Sequence, residues 1–107
     1  MIKKVLSKQA QILLLKTANS NRKRIIYINN KNRVGITIGN KQFIDRNNVN
    51  SVIKWKQALK ELIKNKLIMF KTTSDTVLRL TKNGYKTVKN LTKNYKITRD
   101  YKMEKAG

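Results

Sequence analysis

The stretch Ser51-Val52-Ile53-Lys54-Trp55-Lys56-Gln57-Ala58-Leu59-Lys60-Glu61-Leu62-Ile63-Lys64-Asn65-Lys66, with the short runs Leu67-Ile68-Met69-Phe70 and Thr76-Val77-Leu78-Arg79-Leu80 behind it, decides the fold class. Val52, Trp55, Leu59, Leu62 and Ile63 recur at helical spacing and Ala58 widens the stripe, which predicts an amphipathic helix from about Ser51 to Lys66. At about 100° per residue, Lys54, Gln57, Lys60, Glu61 and Lys64 fall on the opposite side. The two apolar runs are too short for helices and flank the turn residues Thr72-Thr73-Ser74-Asp75, so they predict a β-hairpin. Thr81 then caps a third helix with Tyr85, Val88 and Leu91 on its apolar face. Gly84 in its first turn costs about 1 kcal/mol against Ala. It is read as permitting a close approach to the preceding strand.

Toward the N-terminus, Ser7 is a good cap, and Leu6, Ala10, Leu13, Leu14 and Thr17 predict a helix over about 7–18. Ile25-Ile26-Tyr27-Ile28 and the alternating Val34, Ile36 and Ile38 flank an Asn-rich turn, which is hairpin chemistry. Gln42-Phe43-Ile44 reads as a third short strand, followed by a polar break to Asn50. Residues 93–107, with Tyr95, Ile97 and Tyr101 among basic residues, read as a basic tail or a helix extension. The expected organisation is one α+β domain over 1–92 plus that segment: three helices, an inserted β-hairpin and a C-terminal β-hairpin.

Charge dominates the composition of the 107 residues: Lys+Arg is 26 and Asp+Glu is 5, a formal net charge of +21. A surface of nearly one sign repels itself, and neutralising phosphates releases counterions, so a polyanionic partner is expected. The excess covers both halves of the chain and marks no face. Without Cys or His, thiolate and imidazole nucleophiles, Ser-His-Asp triads and the common zinc sites are excluded. The apolar runs reach only four residues, as in Ile12 to Leu15, so no membrane span is expected. The N-terminus lacks the apolar region of a signal peptide, and a cytoplasmic protein is the expectation.

Ala58 to Ile68 resembles the recognition helix of a winged helix running into its first wing strand. Val77-Leu78-Arg79-Leu80-Thr81-Lys82-Asn83-Gly84-Tyr85 resembles the second wing strand and the Leu-Thr-x-x-Gly-Tyr start of the closing helix, and Leu6 to Leu15 resembles the opening helix. The resemblance covers about residues 5–92. It departs from the family at 24–44, where strands stand in place of the helix that normally precedes the recognition helix. Ile36 to Ile44, with Trp55 and Ala58, is similar to a bacterial winged-helix subfamily.

The resemblance implies duplex DNA contacted by the helix at 51–66 and the wing at 67–80, in transcription regulation or DNA attachment. Lys54, Lys60 and Lys64 would meet phosphate or guanine, and Asn50 and Gln57 would pair with adenine edges. Lys71, Thr72, Thr73 and Ser74 would lie along the backbone or in the minor groove. The plain alternative is that these lysines are the solvated side of an amphipathic helix. Glu61 is expected to pair along its helix with Lys64 or Asn65 rather than accept from cytosine N4, and Trp55 to pack in the core rather than stack on a base. Tyr95 and Tyr101 stack on single-stranded bases or cap the core.

Two other readings stand beside DNA binding. One is a protein–protein or dimerisation module, a role winged helices lacking the second helix sometimes take. The other is an RNA- or ribosome-associated basic protein. An enzyme is not expected: Asp100-Tyr101-Lys102 with Asp75 is a weak basis for a metal site. No phosphate-binding glycine motif implies a nucleotide cofactor.

Overall fold

Helix α1 (Lys8–Asn19) starts where Ser7 Oγ accepts from the Ala10 N–H at 3.2 Å, as its sequence predicts. Thr81 opens α3 (Lys82–Thr92) in the same way, accepting from the Gly84 N–H at 3.0 Å. Helix α2 (Val49–Lys64) begins two residues earlier than its apolar stripe suggests. Its cap is Asn48, whose Oδ1 accepts from the Ser51 N–H at 3.2 Å. Ser51 lies inside the first turn, its hydroxyl accepting from the Asp45 N–H at 3.1 Å.

These helices belong to a computed structural model that describes residues 6–31, 33–45, 47–71, 76–93, 95–97 and 103–105. Between α1 and α2 lie β1 (Arg24–Asn29), β2 (Val34–Ile38) and β3 (Lys41–Gln42). Strands β4 (Ile68–Phe70) and β5 (Val77–Leu80) separate α2 from α3. The fold is α+β, with three helices among the described residues and a five-stranded antiparallel sheet in the order β3-β2-β1-β5-β4. Both expected hairpins are present. They are joined into one sheet by β1 and β5, which pair with Arg24 opposite Arg79 and Ile25 opposite Leu78.

Two expected elements are corrected. Strand β3 ends at Gln42 because the side chain of that residue takes over the ladder: Gln42 Oε1 accepts from the Ile36 N–H at 2.8 Å and the Ile44 N–H at 3.2 Å. Phe43 and Ile44 turn into the core instead. The described residues after Lys93 do not extend the helix. After α3, β6 (Tyr95–Ile97) pairs antiparallel with β7 (Met103–Lys105), and β6 lies beside α1 and α3. Tyr-Lys-Ile alternates at period two with residue types that favour strands, which ends the helical pattern.

The core is built where one sheet face meets the helices. Ile25, Ile36, Ile38, Leu78, Leu80 and Ile68 project from that face, and α1 contributes Leu13 and Leu14, α2 Ala58, Leu59 and Leu62. Burial pushes the Tyr27 hydroxyl above its ordinary pKa of 10.0 on the same side of β1. Cross-strand partners share a face, so the opposite side carries Arg24, Arg79 and Met69 in one row and Thr37, Ile26 and Val77 in the next. These residues are partly or fully exposed.

Helix α2 ends in a Schellman arrangement. The Leu67 N–H donates to Leu62 O at 3.0 Å, and the Lys66 N–H to Ile63 O at 3.0 Å. The residue between the helix and Leu67 must adopt a left-handed backbone, and here it is Lys66 with φ of 60° rather than a glycine. Lys66→Gly relieves that strain while loosening the unfolded chain, so a net gain of about 0.5 kcal/mol is expected in urea denaturation. Among the described residues no helix is long and apolar enough to cross a membrane.

Candidate nucleic-acid interface

Helix α2 turns Ala58, Leu59 and Leu62 into the core, and this sets the direction of everything else on it. Asn50, Lys54, Gln57, Lys60 and Lys64 are all exposed. Gln57, Lys60 and Lys64 fall within about 60° of arc, pointing away from the core. Asn50, Lys54 and Gln57 line a shallow concavity of about 260 Å³ against Ser7 of the α1 cap. Lys54 leans toward the buried side, its Nζ 5.4 Å from the centre of the Trp55 ring. Trp55 packs edge-on against Phe43 with ring centres 5.1 Å apart, which makes it part of the core margin.

The periodicity hides two features of this face. Val49 and Ile53 are 70% and 49% exposed, so the polar side of α2 carries two aliphatic side chains one turn apart. Glu61 does not serve its own helix as expected. Its Oε2 accepts from the Ser7 N–H at 2.7 Å, fifty-four residues away, while Asn65 Nδ2 donates to the Glu61 main-chain carbonyl at 2.8 Å. The carboxylate thus sits at the positive end of α1.

The wing residues divide. Lys71 is exposed at the end of β4, where its N–H donates to Val77 O at 2.9 Å. Thr72, Thr73 and Ser74 lie outside the described residues, as do Asp75, Asp100, Tyr101 and Lys102. Tyr95 is placed in β6, its side chain outside what the structure describes. Lys71 does not join the concavity on α2.

It lies instead with Arg22, Lys23, Arg24, Arg79 and Tyr85 around a recess of about 570 Å³. An adjoining recess of about 460 Å³ shares Arg22 and Arg24 and extends toward Lys16 and Asn40. Among the described residues no acidic side chain lines either one. No family model, curated protein or solved structure matches this chain. The site is therefore read from its own chemistry, which is that of two cationic surfaces, one on α2 and one on the sheet.

The exposed lysines of the first surface are legible in the sequence, whereas the second surface is not. The signal available was the run Arg22-Lys23-Arg24 at a helix–strand junction. Its partners Lys71 and Arg79 are distant in sequence and arrive only through the pairing of β1 with β5 and β5 with β4. Among the described residues no cluster of three or more acidic side chains is present to hold a metal ion.

Proposed function

We propose that this domain binds duplex DNA in the manner of a winged helix, mainly through phosphates. Helix α2 is the recognition helix, and the β4–β5 hairpin is the wing. The observation that carries this reading is the imbalance of 26 basic against 5 acidic residues, on a fold where α2 runs directly into a β-hairpin and holds its polar side clear of the core. A major groove admits one α-helix. Lys60 and Lys64 meet phosphate or guanine, Asn50 and Gln57 offer paired donors and acceptors to adenine, and Val49 and Ile53 supply apolar contact for thymine methyls. The role is transcription regulation or attachment of a partner complex to DNA.

The test is a titration of labelled duplex DNA at several salt concentrations. Each phosphate contact contributes about −0.9 to the slope of log K against log salt. With six or more contacts, affinity falls at least about a thousandfold between 50 and 200 mM salt. Lys54→Glu with Lys60→Glu is expected to abolish duplex binding while the domain still melts cooperatively. Absence of binding by the native protein near ~100 mM salt would sink the proposal.

A second reading, self-association, draws on one observation. Strand β4 is an edge of the sheet, and Met69 and Phe70 on it are 49% and 36% exposed. Light scattering during the same titration separates a dimerisation module from a DNA-binding monomer.

A further inference from the structure

Arg24 and Arg79 are direct cross-strand partners on the face of the sheet that points away from the core. Like charges placed opposite one another destabilise a sheet unless something neutralises them. Among the described residues the surroundings add positive charge. Arg22 and Lys23 stand on the connection from α1, Lys71 at the end of β4, and all line the same recess with Tyr85. Lys23 is already engaged, its Nζ donating to Ala18 O at 3.0 Å at the end of α1. Arg22, Arg24, Lys71 and Arg79 remain to face the recess.

Three guanidinium groups offer planar forks of donors that match phosphate oxygens. Tyr85 is 47% exposed beside them, an aromatic face at the edge of a cationic hollow. The adjoining recess prolongs the hollow across Arg24, Ile26 and Thr37, with no acidic side chain among the described residues. A duplex is stiff, with a persistence length of about 50 nm, and does not bend to follow a hollow of this size. A flexible single strand bends into it, lays successive phosphates on the arginines and stacks a base on the ring.

We infer that this face of the sheet is a binding track for single-stranded nucleic acid, centred on Arg22, Arg24, Arg79 and Tyr85. It goes beyond the duplex reading and uses no residue of α2.

The experiment measures fluorescence anisotropy of labelled oligothymidylate of about 12 nucleotides, within the usual site sizes, alongside a labelled duplex. Arg24→Gln with Arg79→Gln is expected to weaken oligothymidylate binding at least tenfold. It should also flatten the salt slope by about 1.4, at about 0.7 per phosphate. Tyr85→Ala lowers affinity by about 5- to 150-fold, whereas Tyr85→Phe stays within about twofold of the native protein.

Lys54→Gln with Lys60→Gln weakens duplex binding and leaves oligothymidylate affinity within about threefold. Loss of the duplex effect alone removes the α2 reading and leaves the track standing. The track is overturned if the native protein does not bind oligothymidylate, or if the arginine pair can be replaced with affinity and slope unchanged. It is overturned equally if folded Tyr85→Ala binds like the native chain. Thermal melting confirms that each variant is folded, and the arginine pair decides alone if Tyr85→Ala is not.

Discussion

Gly84→Ala is expected to lower stability by about 2 kcal/mol, although alanine is the better helix former by about 1 kcal/mol. A Cβ at residue 84 would run into the main-chain carbonyl of Leu67, with the Leu80 side chain 3.3 Å away. That carbonyl cannot step aside freely, because it accepts the Thr81 N–H at 3.0 Å. Thr81 in turn donates its hydroxyl to Lys66 O at 2.6 Å and accepts from the Gly84 N–H. The start of α3 and the entry to β4 are thus held together at Gly84, and an added methyl pushes them apart. In a domain of this size the melting temperature should drop by about 10 °C. A melting temperature at or above the native value would show that propensity, not the close approach, governs this position.

Glu61→Lys is expected to cost about 2–3 kcal/mol. The native carboxylate makes a charge-assisted bond to the Ser7 N–H at 2.7 Å, the class worth about 1.5–3 kcal/mol. It also lies at the N-terminus of α1, where a negative charge is favourable and a positive one is not, by about 0.3–1 kcal/mol. The replacement loses the bond, places a cation at the positive helix end and enlarges a net charge already at +21. Glu61→Gln keeps an acceptor and should cost only about 1 kcal/mol. Thermal denaturation at low salt and at about 1 M salt tests the division, because screening shrinks the charge repulsion but not the missing bond. Equal stability of the lysine and glutamine variants would contradict the dipole contribution.

These two positions show how far local reading carries. Gly84 could be recognised from sequence as a place of close approach, since a glycine inside an otherwise apolar-faced helix needs a reason. What it approaches could not: the obstacle is the connection entering β4, seventeen residues back. The helical repeat puts Glu61 on the polar side of α2, where its natural partners along the helix are Lys64 and Asn65. The chain instead brings the start of α1 within hydrogen-bond distance. A carboxylate goes to the strongest donor its helix can reach, and that donor is supplied by packing.

The lysine-rich face of α2 was legible because a 3.6-residue repeat assigns every residue on a helix to a side. The aliphatic pair Val49 and Ile53 escaped that reading. Val49 lies before the stripe begins, in a turn added by the Asn48 cap, and Ile53 adjoins the apolar stripe in sequence while facing outward in space. The strands at 95–97 and 103–105 were missed for a related reason. Three-residue strands carry too short an alternation to compete with a basic, tail-like composition, and only their mutual pairing defines them.

By itself the sequence determined the order of elements as far as α3, the caps at Ser7 and Thr81, the apolar stripes and the excess of +21. All of these depend on residues within a few positions of one another or on a sum over the chain. Tertiary structure alone decided where the charge gathers. Pairing of β1 with β5 sets Arg24 across from Arg79, and pairing of β5 with β4 carries Lys71 toward the same recess. Strand register is fixed by which faces must be buried, so the apolar residues at 25 and 78 place the arginines at 24 and 79 on the outside together. The consequence of burying Ile25 and Leu78 as partners is two cations side by side on the opposite face.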